Sequence, residues 1–361
     1  MKIMICIGQL CKGGAERVVC NLANYLSKNN NVTLVVFRNT KIDYEISTDV
    51  KIIKLDNKEK EKFKLLKNMK RIIKLNKILK KEKFDVTLSF LPRPSYITLF
   101  LKKFRKNKVI VSVRNDPKME YKSLLNKILM KWLYPLADGF VFQTEEAKQY
   151  FPENIQKKSI IILNSVNENF IIDKPYNGIR DKIIVSVGRL DEQKNQKMLI
   201  KAFSKIHYKY PKYNLIIYGE GCLRNDLEKL INDLNLEKNI FLPGIEDNIK
   251  EKLYKASLFV LPSNYEGMPN SLIEAMALGV PSISTNCPCG GPKDLINDGE
   301  NGFLIDVNSE EDLVKKMDLV LSGIYDISKI SKNANKIKDR INPKIINKEW
   351  ENYLKKIYEK E

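Results

Sequence analysis

Apolar residues fall along this chain in two rhythms that alternate. Short, largely apolar runs at 3–7, 32–37, 85–90, 109–113, 140–143 and 160–164 have the length and β-branched content of strands. Between the first two lies 15–28, where Val18, Val19, Leu22 and Leu26 recur at helical spacing. Strands that are apolar throughout, rather than every second residue, are buried on both faces. The order strand, helix, strand therefore predicts a parallel sheet with helices on either side.

Periodicity lapses over 167–181, which carries Pro175 and Gly178, and then the same alternation begins again. Strands are expected at 183–187, 215–218, 240–242, 258–261, 280–284 and 303–306, with helices at 196–210, 224–234, 249–256, 310–321 and from 343 to the end. The reading is α/β with two Rossmann-like domains, 1–170 and 171–342, followed by a terminal helical segment 343–361.

One stretch, 257–279, joins both rhythms. The strand 258–261 breaks into a loop at Pro262 to Gly267. Pro269 supplies the fixed φ of a first helical turn, Asn270 and Ser271 are cap-type residues, and the helix that carries Leu272, Ile273, Met276 and Ala277 ends at Gly279. Amides near Met268 to Leu272 could hold phosphate oxygens at that helix N-terminus. Glu266 and Glu274 could accept from the hydroxyls of a polyhydroxylated ligand; a surface loop acid and a solvated helix acid are the other reading, and spacing leaves both open.

Charge changes the picture of the first half. Residues 1–170 hold 34 Lys+Arg against 16 Asp+Glu, a net +18, whereas 171–361 hold 29 against 28, a net +1. A polycationic half suits a polyanionic partner, phospholipid or nucleic acid. Three basic stretches stand out: 58–83, with apolar Leu65, Leu66, Met69, Ile72, Ile73 and Leu79 at helical spacing; 102–108; and 118–132, where lysines alternate with Leu125, Ile128, Leu129, Met130 and Trp132. These read as amphipathic helices on an anionic membrane surface, through the N-terminal domain. Aromatic residues are not interleaved with the cations as base stacking requires, so nucleic acid is the weaker partner. No run of 18 apolar residues occurs, and the N-terminus lacks the order of a signal peptide. The expected location is cytoplasmic, peripheral on the inner face of the cell membrane.

Candidate chemistry is concentrated in loops that follow strands. Gly13 and Gly14 lie between a strand and a helix, but in neither dinucleotide-fold nor P-loop spacing, which disfavours NAD binding and P-loop hydrolysis. Arg189 and Lys194 follow the first strand of the second half, a planar fork and a compact charge suited to a diphosphate. His207 is the sole histidine, late in a helix, so Ser-His-Asp and Cys-His catalysis are excluded. The six cysteines form no C-x-x-C pair, and neither a metal nor any cofactor is expected.

In order and spacing, the Gly13-Gly14 loop, Arg189 with Lys194, Gly219 to Gly221, and Glu266 through Glu274 resemble glycosyltransferase family 4. These are retaining enzymes of the GT-B fold, in which two Rossmann-like domains face each other across a cleft and the C-terminal helix crosses back to the first domain. The resemblance covers nearly the whole chain and is nearest to bacterial enzymes that extend undecaprenyl-diphosphate-linked glycans. It implies a hexosyltransferase that takes a nucleotide sugar, with uridine the expected base, and a lipid-linked glycan acceptor. By the same resemblance, Arg189 and Lys194 bind the donor diphosphate as it leaves, and Glu266, helped by Gly267, Met268, Pro269 and Asn270, contacts the transferred sugar. Glu274 accepts from ribose. Gly219, Glu220 and Gly244 line the base and ribose pocket, and Gly13 and Gly14 let the first domain approach the diphosphate. Residues 349–361, with Trp350, are the candidate crossing helix. Many members carry a histidine after a strand of the first domain. Here that place reads Val113, Arg114, Asn115, Asp116, so these last three become candidates on the acceptor side.

The expected reaction is metal-independent transfer with retention. A sugar-nucleotide epimerase of the same fold is a second possibility, and a basic nucleic-acid-binding protein a third, from a different class.

Overall fold

A computed structural model describes residues 1–56, 64–105 and 107–360. The chain divides into two compact units, Met1–Asn164 with Lys344–Glu361, and Ser165–Pro343. The first division lies six residues before 170 because 165–170 is tied to the second unit: the Val166 amide donates to the Ile341 carbonyl at 3.0 Å.

The first unit contains strands β1 (Lys2–Ile7), β2 (Asn31–Val36), β3 (Lys51–Lys54), β4 (Val86–Phe90), β5 (Lys108–Ser112), β6 (Gly139–Phe142) and β7 (Ser159–Ile161). They form one parallel sheet in the order β3-β2-β1-β4-β5-β6-β7. The apolar runs work as expected. In β1, Ile3, Ile5 and Ile7 join a core on one face with the helix Gly14–Leu26, while Met4 and Cys6 join a second core with Leu75, Leu79 and Leu101. Burying both faces is what forces a continuous hydrophobic strand.

The C-terminal helix Pro343–Glu359 belongs to this unit. Ile346, Trp350, Tyr353, Leu354 and Ile357 enter the core of β1 and β4. Trp350 lies on Phe90 with ring centroids 5.8 Å apart. The Tyr353 hydroxyl donates to the Lys158 carbonyl at 2.6 Å and accepts from the Phe140 amide at 3.1 Å. Residue 361 lies outside the described residues.

The second unit contains β8 (Asp181–Val187), β9 (Asn214–Tyr218), β10 (Ile240–Gly244), β11 (Ala256–Leu261), β12 (Ser282–Thr285) and β13 (Phe303–Ile305). The order β10-β9-β8-β11-β12-β13 is again wholly parallel. In both sheets the order reverses beside the first strand of the unit, between β1 and β4 and between β8 and β11. The carboxyl ends of the strands at such a reversal are where open α/β sheets take ligands.

Helix ends differ from the sequence expectation where a terminal turn frays or a loop folds. The helix expected at 196–210 is Gln196–His207, that at 224–234 is Arg224–Asp233, and that at 249–256 is Ile249–Tyr254. The basic stretch 58–83 forms the helix Lys64–Lys81; its residues 58–63 and the side chain of Leu65 lie outside the described residues. The stretch 118–132 is broken by Tyr121 into Pro117–Glu120 and Leu124–Leu133. The helix Pro92–Lys102 and edge strand β3 were not expected, the first because two prolines open it and the second because lysines close both its ends.

Candidate active site

The loop after β8 and the loop after β11 interlock at the reversal point of the second sheet. Asn264 donates from its amide to the Gln193 carbonyl at 2.8 Å and from its side chain to the Glu192 carbonyl at 2.7 Å. Gln193 returns a bond from Nε2 to the Tyr265 carbonyl at 3.0 Å. Across this seam Lys194 Nζ lies 2.5 Å from Glu266 Oε1, and both side chains are largely buried. Ser263 Oγ donates to the same Oε1 at 2.6 Å, and Thr285 Oγ1 supports Ser263 through its carbonyl at 2.5 Å. Glu266 is thus a buried acid that a cation and a hydroxyl hold, not a surface loop acid. Lys194 has three donors, and the pair with Glu266 occupies one.

Arg189 has a different character. Its side chain is 66% exposed, braced by Asp191 at 3.2 Å and by Gln193 Oε1 at 2.9 Å. It is a cation held in orientation yet open to solvent, at the carboxyl end of β8.

Beyond Glu266 the chain enters the helix Asn270–Ala277, with Pro269 at the N-cap position. The expectation placed Pro269 inside the first turn; its ψ of 108° is extended, so the helix starts one residue later. Glu274 is buried on this helix, which excludes the solvated alternative for it as well. Gly267, Met268, Asn270, Ser271 and Leu272 occupy the loop and first turn, as expected. The loop is backed by the one that follows β12. A Cβ at Gly291 would run into the Gly267 carbonyl, and the Glu266 amide donates to the Pro288 carbonyl at 3.0 Å. Cys287, in that backing loop, has its thiol pushed up to about 12 by burial and by the Glu266 charge.

On the other side of β8, Gly219 has φ +144° and its backbone packs against the Gly188 carbonyl, which no side chain would permit. Its amide donates to the Gly244 carbonyl at 2.8 Å. Gly219, Glu220 and Gly244 therefore converge beside the Arg189 loop. The Glu220 carboxylate is already engaged: Arg224 Nε and Nη2 grip its two oxygens at 2.8 and 2.6 Å and hold it below the usual carboxylate range.

In the first unit, Gly13 precedes the helix Gly14–Leu26, and the Tyr44 hydroxyl clasps it, accepting from its amide and donating to its carbonyl, each at 2.7 Å. Arg114 and Asp116 are buried beyond β5, and Asn115 lies half-buried between them. Asp116 caps the helix Pro117–Glu120 by accepting from the Lys118 amide at 2.9 Å. His207 ends its helix against Phe203, with centroids 5.3 Å apart, away from these loops in sequence and role. Among the described residues no cluster of three or more His, Cys, Asp or Glu could hold a metal ion.

Sequence reasoning overlooked Gln193, Ser263, Asn264 and Thr285, which position the charged groups rather than carry charge. Their signal was position alone: Gln193 stands next to Lys194, and Ser263 stands three residues before Glu266.

Two family models divide the chain between them. Glycosyltransferase Family 4 matches residues 12–170, and Glycosyl transferases group 1 matches 167–337. A Campylobacter jejuni protein named N-acetylgalactosamine-N,N'-diacetylbacillosaminyl-diphospho-undecaprenol 4-alpha-N-acetylgalactosaminyltransferase is 33% identical over 89% of this chain and 90% of its own length. The chain belongs to glycosyltransferase family 4. A second Campylobacter jejuni transferase of this family, an alpha-1,4-N-acetyl-D-galactosaminyltransferase named for a GalNAc-containing PP-undecaprenol glycan, is 31% identical over 89% of each chain. Among solved structures, Anabaena Alr3699/HepE in complex with UDP and glucose superposes with TM-score 0.81 at 17% identity, covering 99% of this chain and 100% of that one. Sucrose-phosphate synthase from Thermosynechococcus elongatus reaches TM-score 0.85 at 17% identity, over 99% of each. The last two likenesses are of fold: two parallel α/β units.

Proposed function

We propose that this transferase moves a hexose or N-acetylhexosamine from a UDP-sugar to a glycan carried on a polyprenyl diphosphate, with retention and without a metal. The observation that carries the donor half is the arrangement at the reversal of the second sheet. A buried Lys194–Glu266 pair lies at the loop that leads into an eight-residue helix, and an oriented, open Arg189 lies in the same loop as Lys194. Two cations and a helix dipole suit a diphosphate whose charge grows as it leaves. Glu266 would contact the sugar and Glu274 the ribose. Gly219, Glu220 and Gly244 would shape the nucleoside end. The bond from the anomeric carbon to the diphosphate breaks, and the acceptor hydroxyl joins that carbon from the same face. The hydroxyl proton passes to the departing phosphate oxygen, so no histidine is required. In the first unit the Gly13-Gly14 loop would approach the donor diphosphate, and Arg114, Asn115 and Asp116 would serve the acceptor half.

The acceptor's lipid suggests work at a membrane surface, and the first unit has a face that suits it. The helix Leu124–Leu133 leaves Leu124 74% and Trp132 72% exposed, with Leu125 and Ile128 also outside and Lys122, Lys127 and Lys131 among them. Phe100 and Phe104 add to it, and the helix Lys64–Lys81 exposes Leu66, Met69 and Ile73 while Leu75 and Leu79 pack inward. Exposed apolar groups between lysines are the composition of an anionic-membrane contact. No helix among the described residues is long and apolar enough to cross a membrane.

The test is incubation of the full chain with a panel of UDP-sugars and a synthetic polyprenyl-diphosphate glycan, in EDTA, with the product anomer read by NMR. An α-linked product is expected. An epimerised UDP-sugar formed without acceptor would favour the epimerase instead.

A further inference from the structure

Arg114 is out of place as a structural residue. Its side chain is buried, 8% exposed, two residues beyond the carboxyl end of β5. Nη2 donates to Asn164 Oδ1, the same oxygen that accepts from Gln143 Nε2 at 2.8 Å. Nε and Nη1 are buried without a hydrogen-bond partner among the described residues, and no described carboxylate pairs with the guanidinium. Burial alone draws its pKa down to about 9. The planar group lies over the Phe90 ring at 5.9 Å, and Phe90 rests on Trp350 of the C-terminal helix.

Each element of this arrangement is specific. A guanidinium presents two bidentate faces, Nε with Nη2 and Nη1 with Nη2, and here each retains an open donor. A buried arginine without a counter-charge is among the more destabilising features a core can hold. It persists where an anion completes it. Its surroundings also exclude a folding role through ion pairing: the groups it meets are the Asn164 amide and an aromatic ring. Phe90, Arg114, Gln143 and Asn164 come from the carboxyl ends of β4, β5, β6 and β7, the ligand edge of the sheet.

We propose that Arg114, oriented by Asn164 and Phe90, is an oxyanion-binding residue for the acceptor substrate, taking either a phosphate of its lipid diphosphate or a carboxylate of an acidic sugar. This deepens the reading of the first unit as the acceptor half and rests on it. Bidentate charge-assisted bonds to one oxyanion make Arg114 a determinant of which acceptors are accepted, separate from the cations that grip the donor.

The experiment is calorimetric titration of the full chain, with UDP first added to saturation so that the donor diphosphate site is filled. Farnesyl diphosphate and methyl glucuronoside are the two probes. In R114M the affinity for one of them is expected to fall at least tenfold, and that probe names the source; R114K, which keeps a single compact charge, is expected to fall in between. Equal affinities in wild type and R114M for both probes would overturn the assignment. So would a comparable loss of UDP affinity in R114M, which would place the arginine on the donor side. Failure of the wild-type chain to bind UDP at all would instead count against the donor reading, and the two probes would still report on Arg114. Removing an unpaired buried charge is expected to raise the melting temperature of R114M; should that variant not fold, R114K carries the comparison.

Discussion

Lys194 Nζ and Glu266 Oε1 lie 2.5 Å apart although 72 residues separate them in sequence, and each comes from the loop at the end of a different, adjacent strand. Neither residue is well placed to be merely structural, since a hydrophobic pair of the same volume would fill a closed site at lower desolvation cost. The pair instead keeps a carboxylate and an ammonium together at the edge where a sugar diphosphate would bind. Because both are largely buried, removing one strands the other. Lys194→Ala is expected to destabilise the second unit by about 3–5 kcal/mol, and Lys194→Met with Glu266→Leu to recover most of that. Chemical denaturation of wild type, Lys194→Met, Glu266→Leu and the double variant measures the coupling. Additive losses would show that the two residues do not interact.

Arg189 should separate activity from stability. Its side chain is mostly exposed, so Arg189→Ala is expected to leave the unfolding midpoint nearly unchanged while it lowers kcat by about 10²–10³, the scale of losing one group that stabilises transition-state charge. Glu274→Gln is expected to raise KM for the nucleotide sugar, since a hydroxyl acceptor near ribose is lost before the transition state. Initial rates against donor concentration check both.

Glu120 links pH to the stability of the first unit. Burial, with the Asp116 charge added, pushes its carboxyl up to about 8, from an ordinary 4.5, and its Oε2 has no partner among the described residues. The folded chain therefore keeps the proton where the unfolded chain has released it. The resulting stability is complete below pH 4.5 and is lost as pH rises through about 8, with a slope of up to about 1.4 kcal/mol per pH unit between. Glu120→Gln is expected to flatten that part of the profile and to be more stable than wild type at pH 8. Denaturation midpoints of both proteins from pH 5 to 9 test this; parallel profiles would refute it.

The C-terminal helix is held by the Tyr353 hydroxyl as well as by its apolar face. Tyr353→Phe removes one bond donated to the Lys158 carbonyl and one accepted from the Phe140 amide, which keeps its own bond to that carbonyl, at an expected loss of about 0.5–1.5 kcal/mol. The loss should appear in hydrogen exchange of β6 and β7 and not in the strands of the second unit.

Much of this was legible in the sequence, for identifiable reasons. Largely apolar runs of strand length mark β1, β2 and β4 to β13, so these could be placed. The two sheets followed from their alternation with amphipathic helices. Glu266, Lys194 and Arg189 could be chosen because charged residues in loops after strands are conspicuous. What could not be read was what those charges meet. Nothing in the sequence separates Lys194, buried against Glu266, from Arg189, open to solvent, five residues before it. Nor does it show that Glu220 is taken by Arg224, because a four-residue spacing of opposite charges fits any solvated helix start. Edge strand β3 was missed because its lysines face solvent, and the boundary near 165 because it depends on one backbone bond to Ile341.

The most direct test of the account is calorimetric titration of UDP into the wild-type chain and into Arg189→Ala with Lys194→Ala. The loops after β8 and β11 are expected to bind UDP in the wild type and to lose at least a hundredfold in affinity in the double variant, with folding checked by circular dichroism. Equal affinity in the two proteins, or no binding by the wild type, would contradict it.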